Sequence, residues 1–126
     1  MRAPQIRTLR TLCVTWLPRD ALVPVDAVDA GVDITLICWF DSLPRAHRLR
    51  QLALLRSIES GFGLANGRPG LSFSDALPDE RRTWLERVAR GALANDYHAL
   101  RETAVRAWVS SEPVRAHLPL RTQETP

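Results

Sequence analysis

The sequence predicts an α+β fold in which helices dominate, with a small sheet that includes a strand over 32–40. Three observations carry this expectation. Two stretches, 44–60 and 78–110, space their apolar residues with helical period. A third, Val32–Phe40, alternates apolar residues with a period of two. Between them lie segments rich in proline, glycine and aspartate. With 126 residues, 45% of them apolar, the chain suits one core, so 1–112 is read as a single compact domain. Segment 113–126 has no usable period and further prolines, and is read as a weakly ordered tail.

In 4–17, Ile6, Leu9, Cys13, Trp16 and Leu17 fall at helical spacing and Pro4 suits a first turn. The competing strand through Leu12, Val14 and Trp16 is set second. Residues 18–31 hold two prolines and end in an Asp-Ala-Gly turn signal. Then comes the alternating run Val32, Ile34, Leu36, Cys38, Phe40, whose faces both become apolar toward its end, as in a strand covered on both sides. Asp41 or Ser42 is the expected N-cap of a helix over 44–60, with Pro44 in its first turn. That helix is expected to turn Ala46, Leu49, Leu52, Ala53, Leu55 and Ile58 inward and to end at Gly61. Gly61–Gly70, with four glycines and a proline, reads as a loop. Trp84, Leu85, Val88, Ala89, Ala92 and Leu93 mark a helix over 78–94, with Asp79 and Glu80 at the positive end of its dipole. Asn95-Asp96 breaks the period before Tyr97, Leu100, Ala104, Ala107 and Trp108, which predicts a helical hairpin, 78–94 against 96–110. The four tryptophans, Trp16, Trp39, Trp84 and Trp108, are read as core anchors, each needing a partner for its indole N–H.

All 17 basic residues are arginine, a composition most simply explained by a GC-rich, bacterial-type coding sequence. The net charge of +3 is too small to argue for nucleic acid by itself, but its distribution is uneven. Residues 1–19 hold four arginines and no acid, 20–44 hold five aspartates and no base, and 45–68 hold five arginines against Glu59. The blocks are expected to pair with one another in the folded chain, and the acidic stretch could dock onto the arginines of the third block as well. With no secretory or membrane-spanning pattern, a soluble cytoplasmic protein is expected, with no membrane partner.

Chemistry leaves few signals. Cys13 and Cys38 sit in apolar runs and read as buried free thiols, and His47, His98 and His117 are isolated, so neither metal nor cofactor is expected. The glycines of 61–67 follow a helix and miss the dinucleotide pattern. The best nucleophile and base that can be assembled are Cys38 and His47, while Asp41 with His47 and Asp96 with His98 could be acid–base pairs but are explained by helix capping. The one concentrated feature is the basic cluster Arg45, His47, Arg48 and Arg50, extended by Arg56. The leading expectation is therefore a small regulatory or adaptor protein, without catalysis, that binds a macromolecular partner, most simply a protein, through that cluster. Nucleic-acid binding by the same arginines is the alternative, a Cys38/His47 enzyme the second alternative, and self-association into a homodimer a further partner reading.

Overall fold

The computed structural model describes residues 1–117, and among them every regular element is helical. Helix α1 spans Ala3–Trp16, α2 Val32–Ser42, α3 Arg45–Ala65, α4 Pro78–Val88, α5 Ala94–Ser110 and α6 Glu112–Arg115, with a 3-10 turn at Phe73–Asp75. The α+β expectation is thus overturned: there is no strand among the described residues, and 32–40 lies within α2.

The reason is an aliasing of periods. The residues of α2 that reach the core are Val32, Leu36 and Phe40, spaced four apart. They are also every second member of the alternating run. The intervening Ile34 is 63% exposed and Cys38 is also exposed, so the period of two is not the one that the core reads. Gly31, at φ +78°, opens the helix from a left-handed conformation that a side chain would strain. Asp33 then lies in the first turn, where its charge suits the helix dipole and Arg10 Nε reaches it at 2.9 Å. Strand propensity in Val32, Ile34, Thr35 and Ile37 is a weak preference that this packing outweighs.

The helical reading of 4–17 agrees with α1, whose Thr8, Leu9, Leu12, Cys13 and Thr15 are buried. Helix α3 starts at Arg45 with Pro44 in the N-cap position, while Asp41 and Ser42, the expected caps, lie in the last turn of α2; it continues past Gly61 to Ala65. Asn66 Nδ2 donates to the Phe62 carbonyl at 2.7 Å, Gly67 turns the chain at φ +67°, and the Arg68 N–H returns to the Gly63 carbonyl at 2.8 Å. Gly63 lets the following loop close on the helix. A Cβ there would lie 2.5 Å from the Arg68 carbonyl oxygen and closer still to that of Leu71.

The 78–94/96–110 hairpin is also corrected. The chain breaks at 89–93, before Asn95-Asp96, so that α4 ends at Val88 and α5 begins at Ala94. Helix α4 packs on α1 and α3, while α5 packs on α2, α3 and α6. Between α4 and α5 stands the end of α1, where Trp16 Nε1 donates to the Tyr97 hydroxyl at 2.9 Å. Two more tryptophans place their N–H groups on backbone carbonyls, Trp84 on Ile58 and Trp108 on Val25, each at 3.1 Å. The second bond pins the irregular 17–31 segment to α5. Segment 113–126 opens with the turn of α6, whose Val114 is buried, and residues 118–126 lie outside the described residues.

The first two charge blocks do meet. Arg10 pairs with Asp33, and Arg19 pairs with Asp29 at 2.7 Å and Asp26 at 3.6 Å. The Arg19 hydrogen bond, followed by smaller contributions from Asp26, holds the Asp29 carboxyl below its ordinary range. Asp26, Asp29 and Asp33 are therefore paired by Arg10 of α1 and by Arg19 of their own loop, and not by the arginines of α3.

Candidate functional site

Helix α3 has two dissimilar faces. Its inner face is Gln51, Leu54, Leu55, Ile58, Phe62 and Gly63. This shifts the expected one: Ala46, Leu49 and Ala53 point to solvent, and Leu49 is 54% exposed. The buried set 51, 54, 55, 58, 62 repeats at i, i+3, i+4, i+7 and i+11, a spacing already present in the sequence that leaves Leu49 outside. Gln51 Nε2 donates to the Asp96 carbonyl at 2.9 Å, fastening α3 to the start of α5, while its Oε1 is buried without a partner among the described residues.

Beside α1 the seam closes on a carboxylate. Half-buried Glu59 accepts the Thr8 hydroxyl at 2.7 Å, the Ser74 hydroxyl at 2.6 Å and the Ser74 N–H at 3.1 Å. Burial alone would raise its pKa, but the hydrogen bonds from Ser74 and Thr8 outweigh it and hold the carboxyl below its ordinary range. Helix α1, α3 and the 3-10 turn thus meet at one charged side chain. The sequence offered no signal for this triad, whose members are 51 and 15 positions apart.

The five residues of the basic cluster divide. Arg50 turns along the helix toward α5: its guanidinium lies 3.5 Å from Asp96 Oδ1 and 2.7 Å from His47 Nδ1. Arginine has only donors, so this contact requires His47 Nδ1 to carry a lone pair. Arg45, Arg48 and Arg56 have no carboxylate within ion-pair distance among the described residues. Arg45, Leu49, Leu52 and Arg56 stand at i, i+4, i+7 and i+11, which makes one outward stripe with leucines between arginines. Along this stripe α3 and the start of α1 leave a groove of about 510 Å³, with Leu49, Leu52 and Ala53 on one side and Arg2, Pro4 and Gln5 on the other.

A catalytic pair does not form from Cys38 and His47. Cys38 lies on the solvent side of α2, contrary to its expected burial, and His47 is engaged with Arg50; no hydrogen bond joins the two. Cys13 is buried as expected, and burial, followed by the nearby Asp33 and Asp26, pushes its thiol up to about 12, so it stays protonated at neutral pH. Among the described residues no group of three or more His, Cys, Asp or Glu side chains converges as a metal site would require. Nor is any helix among them long and apolar enough to cross a membrane. No protein-family model matches the chain, and neither a curated protein nor a solved structure matches it.

Proposed function

We propose that this chain is a small cytoplasmic binding protein that acts without catalysis, docking on a protein partner through the outer face of α3. The observation that carries the reading is the stripe Arg45, Leu49, Leu52, Arg56, where arginines without ion pairs among the described residues flank an exposed leucine beside a groove. Arg48 adds charge beside the stripe. Arg50 and His47 belong to its border, because their contact with each other and with Asp96 fixes the helix more than it offers donors outward. An exposed leucine ringed by guanidinium groups suits a surface that is both apolar and acidic, since arginine combines a planar donor fork with an apolar stem.

The test is a tagged purification from the native host at moderate salt, comparing the wild type with Arg45→Glu/Arg56→Glu. A stoichiometric protein that co-purifies with the wild type and is lost from the folded variant supports docking by this face. Nuclease-sensitive nucleic acid in its place, released steeply as salt is raised, contradicts it in favour of phosphate binding.

A further inference from the structure

We infer that the groove between α1 and α3 receives an acidic amphipathic helix from the partner protein, its apolar stripe on Leu49, Leu52 and Ala53 and its carboxylates on Arg2, Arg45 and Arg56. The inference rests on the docking reading above and specifies what is docked.

Charge complementarity selects this occupant. The groove carries arginines on both walls, Arg2 from the α1 side and Arg56 from α3, with Arg45 one turn before Leu49. Its one carboxylate, Glu59, is already engaged by three hydrogen bonds from Thr8 and Ser74, and the arginines outnumber it. The middle of the groove is aliphatic and Leu49 is 54% exposed, so a bare phosphate backbone would leave that strip uncovered. A second copy presenting the same face would bring two sets of arginines together with no carboxylate on the stripe to offset them, so an acidic partner is favoured over self-association. From Arg45 to Arg56 the stripe is about 17 Å long, the length of about three helical turns. Its anchors recur at the i, i+4, i+7 spacing that a helix lying in a groove reads. A second groove of about 590 Å³ runs along the other side of α3 beneath Leu64 and Trp84. There Arg87 lies over the Trp84 ring at 5.4 Å, which leaves Arg56, shared with the first groove, as its one arginine without an internal contact, against arginines on both walls of the first.

The probe is a synthetic peptide of about 18 residues, five helical turns, with leucines at i, i+4, i+7 and i+11 flanked by glutamates. It is titrated into the isotope-labelled full chain while backbone amides are followed by NMR. Saturable shifts should centre on Leu49, Leu52, Ala53 and Arg56. A control with the leucines replaced by serine and one with the glutamates replaced by lysine should each fail to bind. Leu49→Asp should weaken the leucine–glutamate peptide by about tenfold or more, as expected for losing one buried leucine anchor, with an unchanged circular-dichroism spectrum. The inference is overturned if the leucine–glutamate peptide does not bind, if the serine control binds equally, or if the shifts centre on Trp84 and Leu64. Leu49→Asp in the tagged purification separates this inference from the reading beneath it. A partner retained by Leu49→Asp but lost by Arg45→Glu/Arg56→Glu sinks the groove and leaves docking standing, whereas no partner on the wild type sinks both.

Discussion

The two faces of α3 treat charge and apolar surface in opposite ways. Toward the core, Leu54, Leu55, Ile58 and Phe62 are almost wholly buried, and Glu59 at their edge has three hydrogen bonds from fixed donors. Toward solvent, Leu49 is half uncovered and Arg45 and Arg56 face no carboxylate among the described residues. One helix therefore carries an internally completed surface and an incomplete one. The comparison teaches that groups needed for the fold are already paired, so those left unpaired can be changed without unfolding it.

The comparison breaks most severely if the inner face can be truncated without cost. Phe62→Ala, at 1% exposure and edge-on to Trp84, should lower unfolding free energy by about 3–5 kcal/mol in a urea titration. A cost under about 1 kcal/mol would mean that α3 is not seated as described. Next comes Gly63→Ala. In an open helix this change is favourable by roughly 1 kcal/mol, but here the new methyl meets the Arg68 and Leu71 carbonyls, and a loss of about 2–3 kcal/mol is expected. Gly61→Ala is the matched control, since its Cβ would meet only the Trp84 ring at 3.2 Å. Its cost should be clearly smaller.

Glu59→Gln sharpens the contrast through pH. The folded carboxyl titrates below its ordinary value, so its contribution is fully present at neutral pH and is lost as pH falls from about 4.3 through the lowered folded value. The variant should be less stable by about 1–2 kcal/mol at pH 7. That gap should close toward acid, because only the wild type loses this contribution there. A gap that persists unchanged at low pH would remove Glu59 as a charged tie between α1, α3 and the 3-10 turn. The smallest expected effect on stability is on the outer face. Arg45→Glu lies in the first turn, where a carboxylate suits the helix dipole, so Arg45→Glu/Arg56→Glu should stay within about 0.5 kcal/mol of the wild type.

How much of this was readable in the sequence varied with the type of signal. Helices α3 and α4 could be found because their apolar residues repeat with a period that no strand shares, and α1 because its helical spacing outweighed a competing alternation through Leu12, Val14 and Trp16. Helix α2 could not, since Val32, Leu36 and Phe40 satisfy periods of four and two together, and the packing of α1, α3 and α5 against it decides between them. The end of α3 was misplaced for a related reason: Gly61 and Gly63 look like terminators, yet they are there for the close approach of Trp84 and of the returning loop. The basic cluster was visible as composition, but its division was not. Asp96 is 46 positions from Arg50, and no local pattern tells that Arg50 is engaged by Asp96 while Arg45 and Arg56 have no carboxylate partner among the described residues. Leu49, the apolar centre of the candidate site, was assigned to the core because it is apolar and stands three and four positions before Leu52 and Ala53, although the spacing of the buried set leaves it outside.

The central claim is that the outer face of α3 is spare to the fold and necessary for binding. Its most direct test is to measure thermal midpoint and capture of the co-purifying protein on the same preparations of wild type and Arg45→Glu/Arg56→Glu. The account predicts an unchanged midpoint with capture abolished. A lowered midpoint, or capture that survives the reversal, would contradict it.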